Sequence, residues 1–403
     1  MTAPEPTATA APAVPVPISG LKRFAAVSFC YFAAIGLFNP YAPLWFQSLG
    51  LSTLAIGAIA SLQSWTRVFA PYGWSWAGDH SGRRVELIRL ATLACVLSAA
   101  GLLGVRWAGD VAFAVSAVTF VLFLANSGVV PLYEATLAHL LSRGGEMDLA
   151  RYGRVRVWGS VGFIVAVTAF GALLDVAGIG IFPWFVLSMN VLLLLAALRL
   201  PRLREPVTAG EPAPPVLPLL KKPAVAWFFA SIGFTVLAHT SLYAFFSLYL
   251  VSLGYGKSAV GALWAVSVAM EIVFFWTQGR WAALMPPERW LQVVAGATTL
   301  RFVAIAGAGG WPVVLVLAQM AHAVTFAAHH ASCIALVHRH FPGRLRGRGQ
   351  ALYTILGYGI PGVLGGVGGG WLIEHLGFAA VFWAAAIAGL LALACARRAE
   401  AAG

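Results

Sequence analysis

Twelve apolar runs dominate this chain, near residues 24–49, 53–76, 85–104, 111–141, 152–174, 178–199, 224–251, 258–283, 289–308, 311–338, 347–371 and 376–396. About twenty apolar residues suffice to cross the hydrocarbon core of a bilayer as a helix. In lipid a helix is the open-ended way to satisfy every backbone donor and acceptor. The runs therefore predict an all-α polytopic membrane protein with twelve transmembrane helices. Only 10% of its 403 residues are charged and 60% are hydrophobic, against about 25% charged in a soluble domain. That balance excludes a secreted enzyme, a disulfide scaffold and a disordered tail protein. Cys30, Cys95, Cys333 and Cys395 all fall inside apolar runs, which suits buried thiols and offers no zinc spacing.

A net charge of +12 invites a nucleic-acid reading, which the placement of the charges refutes. The basic residues sit between the apolar runs and not on one basic face. Twenty-one fall at the termini and in the even-numbered loops, whereas the odd-numbered loops carry only Arg106 and Lys257. The excess of Lys and Arg on the cytoplasmic side of membrane proteins predicts both termini in the cytoplasm of a multi-pass plasma (inner) membrane protein. No cleaved signal peptide is expected, since residues 1–20 lack the basic and apolar regions of one and read as a disordered tail.

The stretch 201–222, PRLREPVTAGEPAPPVLPLLKK, is the long Pro-rich polar segment and reads as a cytoplasmic linker. It separates residues 21–200 from residues 223–398, two halves of near-equal length with six runs each and a short tail at 399–403. The halves share a signature at a constant offset. Ser48-Leu49-Gly50 followed by Gly57-Ala58 recurs 204 residues later as Ser252-Leu253-Gly254 and Gly261-Ala262. Two parallel repeats with a binding site between them is a transporter architecture.

Charges at membrane depth are costly, about 2.5–3.5 kcal/mol by insertion scales, and usually face a cavity or a partner. Glu134 and Arg156 lie at similar depth from the same end and can pair, either in a binding site or as a structural salt bridge. His239, Glu271, Arg301 and His322 all fall near the middle of their runs. They form either a proton relay or a buried polar network holding helices together. Burial favours a neutral carboxyl and a neighbouring guanidinium favours the carboxylate, so a rearrangement that alters either moves a proton. Glu271 is the candidate proton carrier. Arg67 aligns with Glu271 under the 204-residue offset. With Glu134 assigned to Arg156 and Glu271 to Arg301, it has no acid left, so it awaits an anionic solute or else shares Glu271 or a helix carbonyl end. The aromatic stripes Phe38, Tyr41, Trp45 and Tyr243, Phe246, Tyr249 read either as ring-stacking surfaces or as lipid-facing residues. His329 and His330 suit a structural role, and no third ligand at matching depth completes a metal site.

The loop Gly78-Asp79-His80-Ser81-Gly82-Arg83-Arg84 resembles the loop motif of the major facilitator superfamily, with His80 for the usual Arg and Ser75 for the usual Gly. Asp79, Gly82, Arg83 and Arg84 are its conformational residues in this chain. From about Lys22 to Arg398 the sequence resembles the phenylpropionate permease family and its relative lactose permease. The likeness is carried by Tyr152-Gly153-Arg154-Val155-Arg156-Val157-Trp158-Gly159-Ser160-Val161-Gly162-Phe163, by His239 with Tyr243, by Leu263-Trp264 with Glu271, by Arg301-Phe302 and by Gln319, His322 and Thr325-Phe326. The resemblance implies a major facilitator fold of two pseudo-symmetric six-helix bundles and alternating-access import of a small aromatic carboxylate with a proton. The candidate solute-binding set is Arg67 from the charge count, Tyr41 and Tyr243 from the aromatic stripes, and Glu134, Arg156 and Phe163, whose counterparts in lactose permease the resemblance places in its sugar site; the candidate proton-coupling set is Glu271, Arg301, His322 and His239, of which the resemblance carries over His322. Where lactose permease has a proton-carrying Glu after the His, this chain has Thr325. Phe163 replaces a sugar-stacking Trp, which speaks against a galactoside. No cofactor beyond the proton gradient is implied, and the partners are the solute, the proton and the lipid bilayer, with no nucleic acid and no obligate protein partner. A sugar or nucleoside proton symporter is the competing transport reading, and a non-transporting receptor or scaffold the competing class. No nucleophile–base set, metal cluster or nucleotide loop supports an enzyme.

Overall fold

The computed structural model of the chain describes residues 18–143, 146–201 and 216–403. Residues 1–17 of the expected tail at 1–20 and the body of the expected linker, 202–215, lie outside the described residues, while the last three residues of that tail open the first helix. Within them the chain forms long helices α1 Ile18–Ser48, α2 Thr53–Ser81, α3 Arg84–Gly101, α4 Val111–Leu141, α5 Leu149–Ala177 and α6 Phe182–Leu198. A second set follows as α7 Pro223–Ser252, α8 Lys257–Trp276, α9 Pro287–Ala308, α10 Pro312–His340, α11 Arg346–Leu376 and α12 Phe378–Ala401. Ten are long and apolar enough to cross a membrane; α2, which carries Arg67 and Asp79, and the short α3 are not among them. The fold is all-α, as the sequence predicts.

Two ends differ from expectation. The helix of the eighth apolar run stops at Trp276, and Thr277 after it donates its hydroxyl to the Val273 and Phe274 carbonyls. Trp281 then folds back, its indole N–H donating to Phe274 O at 2.7 Å. At the other end α12 continues through the expected tail to Ala401, where Glu400 accepts from Gln292 at 2.5 Å and pairs with Arg289 at 3.5 Å.

The repeat is visible in the backbone. Gly50 and Gly254, 204 residues apart, close the α1–α2 and α7–α8 turns with φ of 83° and 88°, a left-handed conformation that suits glycine because it has no Cβ. Just before each turn a serine hydroxyl donates back to a carbonyl at 2.7 Å, Ser48 to Trp45 and Ser252 to Tyr249.

The halves meet through two equivalent helix pairs, α2 with α11 and α5 with α8. Glycine lets these backbones touch. A methyl group on Gly57 would overlap the Gly366 carbonyl, and one on its equivalent Gly261 would overlap the Val167 carbonyl. Each pair is latched by an acid on a helix N-terminus. Gly256 supplies no side-chain cap to α8. Asp175 at the end of α5 does so across the halves, accepting from the backbone N–H of Lys257 at 2.7 Å and of Ser258 at 2.8 Å, and from the Ser258 hydroxyl. In the equivalent place Glu374 at the end of α11 accepts from Leu54 N at 3.3 Å. Both contacts satisfy N–H groups that a helix start leaves free and place negative charge at the positive end of the dipole.

The packing reflects these latches. At the latched end one continuous apolar core unites both halves, with Tyr41, Trp45, Phe182, Phe245, Phe302 and Phe382 buried together. At the end bearing the basic loops the core is split into one cluster around Phe24, Leu137 and Leu193 and another around Phe228, Leu291 and Val337. The buried core is thus joined across the halves at one end and parted between them at the other. Asp175→Ala removes an acidic cap whose loss costs about 1–2 kcal/mol. A spin-label pair at Val176 and Leu253 should then show a distance distribution shifted outward, and an unchanged distribution would mean the glycine contacts close this end alone.

Candidate functional site

A cavity of about 540 Å³ lies between the halves, walled by residues of α1, α2, α4, α5, α7, α8, α10 and α11. Aromatic rings make up much of it: Phe32, Phe38, Phe46, Phe123 and Phe163 from the first half, and Tyr243, Trp264, Phe326, Tyr353 and Tyr358 from the second. The polar groups are few. Arg67, Gln63, Ser64, Asn39, Arg156 and Ser160 come from the first half, and Glu271, His322, His330, Thr240 and Thr354 from the second.

On the first half, Arg156 pairs with Glu134, Nε to Oε1 at 3.3 Å, as the matched depths predict. The carboxylate stands behind the wall and is held there by the Tyr152 hydroxyl, which donates to Oε2 at 2.6 Å. The Arg156 guanidinium lies over the Phe32 ring, 4.3 Å from its centroid, and its remaining edge reaches the cavity. Arg67 projects into the cavity from α2 and forms no ion pair among the described residues.

Arg301 does not meet Glu271 as expected. Helix α9 turns it onto α10, where it is 3% exposed. There Nη1 donates to His322 Nδ1 at 3.1 Å and Thr325 Oγ1 at 3.0 Å, and Nη2 to Gln319 Oε1 at 3.0 Å. The Ser267 hydroxyl of α8 donates to the same Gln319 oxygen at 2.5 Å. Thr325, which stands where lactose permease has its acid, is a ligand of the arginine. Glu271 faces the cavity instead, with its Oε2 3.9 Å from His322 Nε2.

His239 also departs from the expected relay. Its Nδ1–H donates to Thr235 O at 2.8 Å, its Nε2 is buried with no partner, and its ring lies edge-on to Phe302 behind the wall. Tyr41, expected on the wall, is fully buried at the latched end, where its hydroxyl donates to Val167 O at 2.6 Å. Trp45 is buried beside it, so Phe38 alone of that stripe lines the cavity. Phe163 and Tyr243 do line it, Tyr243 stacked on Trp264 with centroids 6.2 Å apart.

The loop motif folds locally. Asp79 Oδ1 takes Arg84 Nη2 at 2.6 Å, and Gly82 ends α2 with φ 61°. Arg83 is exposed beside them.

Sequence reasoning overlooked the α10–α11 face. His322, Phe326 and His330 stack with interplanar angles of 13° and 12°. From His330 a hydrogen-bonded chain runs to the Tyr353 hydroxyl at 3.3 Å and on to Tyr358 at 3.1 Å. The available signal was the i, i+4, i+8 spacing of two histidines and a phenylalanine. Hidden from it were the π-helical turns Ala323–Ala328 and Tyr353–Gly359, a feature that recurs at functional sites. His329 points away, its Nε2 3.4 Å from Cys333 Sγ. Among the described residues no three His, Cys, Asp or Glu side chains converge as a metal shell. The wall offers ring faces, hydrogen bonds and a few charges from opposite halves.

The profile of the MFS_1 like family matches residues 21–384. The chain is 26% identical over 377 residues to the probable 3-phenylpropionic acid transporter of Escherichia coli (strain K12), covering 91% of this chain and 94% of that one. It is 29% identical over 368 residues to the maltose permease of Geobacillus stearothermophilus, covering 88% of each. The crystal structure of the nucleoside transporter NupG superposes with a TM-score of 0.77 at 18% identity, covering 94% of this chain and 99% of that one, a likeness of fold.

Proposed function

The chain belongs to the MFS_1 like family of secondary transporters, and from that premise we propose that it moves a small aromatic carboxylate together with a proton by alternating access. The observation that carries this reading is Arg67: a guanidinium in a cavity walled largely by aromatic rings, with no ion pair among the described residues. A carboxylate meets a guanidinium fork with two parallel hydrogen bonds, and the attached ring finds faces to stack on. The likeness to a probable 3-phenylpropionic acid transporter supports the same solute class. Glu271, the carboxylate on the wall, is the proposed proton carrier. With the basic loops in the cytoplasm of the inner membrane, the parted end faces inward and the latched end outward, so the described state would release solute to the cytoplasm.

A sugar or nucleoside remains the second reading, favoured by the amides of Asn39 and Gln63 on the wall and by the likeness to a maltose permease. Competition binding to the purified protein separates the two. Unlabelled 3-phenylpropionate should displace labelled 3-phenylpropionate, while its neutral amide, maltose and uridine should displace it at least about tenfold more weakly. Displacement by maltose or uridine at lower concentration than by the acid would reverse the assignment.

A further inference from the structure

The charges on the cavity wall are few enough to assign one by one. Among the described lining residues Glu271 is the only carboxylate, and Arg67 and Arg156 are the only guanidinium groups. Arg156 is matched by Glu134 at 3.3 Å. Arg301 stands behind the wall, and its hydrogen bonds go to the neutral acceptors His322, Thr325 and Gln319. It also fixes a tautomer. A guanidinium only donates, so His322 Nδ1 accepts and Nε2 carries the ring hydrogen, on the side of Glu271 Oε2 3.9 Å away. While that bond holds, His322 is neutral and has no lone pair with which to draw a proton from Glu271.

The other titratable groups that share the cavity with Glu271, besides Arg67, Arg156 and His322, are the Tyr243, Tyr353 and Tyr358 hydroxyls and His330. His330 meets the Tyr353 hydroxyl and has no carboxylate beside it to hold a second proton. Among the described residues the wall thus reduces to one cation without an ion pair and one acid. Arg67 on α2 and Glu271 on α8 come from opposite halves and from equivalent positions of the repeat.

We infer that the cavity is charge-matched for a monoanion, so that one carboxylate crosses with one proton and no net charge moves. This rests on the carboxylate reading of Arg67. The empty cavity is balanced with Glu271 ionised against Arg67. The loaded cavity is balanced with the solute carboxylate on Arg67 and a proton on Glu271. Arg301 keeps its charge in both states, so the two carry the same net charge and neither adds an unmatched one to the low-dielectric middle of the molecule, where it is expensive. A dicarboxylate leaves one negative charge over. An amino acid leaves its ammonium group to compete with the proton at Glu271.

The test uses the full chain in proteoliposomes with labelled 3-phenylpropionate. With acid outside and the membrane potential clamped at zero, accumulation should reach about tenfold per pH unit, as a one-to-one exchange of free energies requires. A potassium–valinomycin potential of either sign at equal pH should drive none. Phenylsuccinate and phenylalanine should compete at least about tenfold more weakly than 3-phenylpropionate. In Glu271→Gln vesicles no proton accompanies the anion, so its flux should become potential-driven, inward when the interior is positive. Acid-specific uptake by the unaltered protein that responds to potential would overturn the charge match while leaving the carboxylate reading intact. Equal uptake of the acid and its amide would overturn both.

Discussion

Arg67→Gln should weaken binding of 3-phenylpropionate by about 2–3 kcal/mol, roughly thirty- to a hundred-and-fifty-fold in Kd, while leaving the neutral amide within about threefold. The expectation follows from geometry. Arg67 reaches the cavity from α2 and forms no ion pair among the described residues, so its removal takes from the acid a charge that no other group supplies. Arg156 cannot stand in, because its charge is committed to Glu134 and its face to Phe32. Arg67→Lys should fall between the two, since an ammonium keeps the charge but lacks the planar fork. Isothermal titration of acid and amide against each variant measures both. Equal losses for acid and amide would make Arg67 a structural residue and raise the sugar or nucleoside reading above the carboxylate one.

The second large effect is expected at Glu271. Glu271→Gln keeps the shape of the wall and removes the one carboxylate among its described residues. Accumulation driven by a pH gradient should fall to the level of protein-free vesicles, whereas exchange of labelled for unlabelled acid should persist. Glu134→Gln is the control. Glu134 sits behind the wall, held by Arg156 and the Tyr152 hydroxyl, so its loss should disturb packing and lower the rate of exchange while gradient-driven accumulation survives. Full accumulation by Glu271→Gln together with its loss in Glu134→Gln would move the proton site to the first half.

The apolar runs of this chain carry its fold on their surface, because length and apolarity are local properties that a bilayer reads directly. The 204-residue echo was legible for the same reason: a turn that demands a left-handed glycine keeps its glycine in both copies, as Gly50 and Gly254 do. Glu134 and Arg156 meet as their depths predict, since rise per residue converts sequence distance into height. Height does not fix which way a side chain faces. His239, Arg301 and His322 share a height, yet α9 turns Arg301 onto Gln319 and Thr325, and His239 lies behind Tyr243. Tyr41 shows the same gap, since a stripe at i, i+3, i+7 fixes a face but not what covers it, and the latched end buries Tyr41 under Val167. The Tyr358–Tyr353–His330 chain was out of reach because π-helical turns shift the register that sequence spacing assumes. Asp175 and Glu374 were invisible as latches, since a polar residue at a helix end has many partners in sequence and one in space.

The proposal that this chain carries an aromatic acid uphill with a proton is tested most directly by one time course. Purified protein is reconstituted into vesicles buffered alkaline inside, diluted into acidic medium with labelled 3-phenylpropionate, and sampled until a protonophore is added. The account predicts an overshoot above the equilibrium level that collapses on addition of the protonophore and is absent from Glu271→Gln vesicles. A time course that superimposes on that of protein-free vesicles, while the same preparation binds and takes up maltose or uridine, would contradict it.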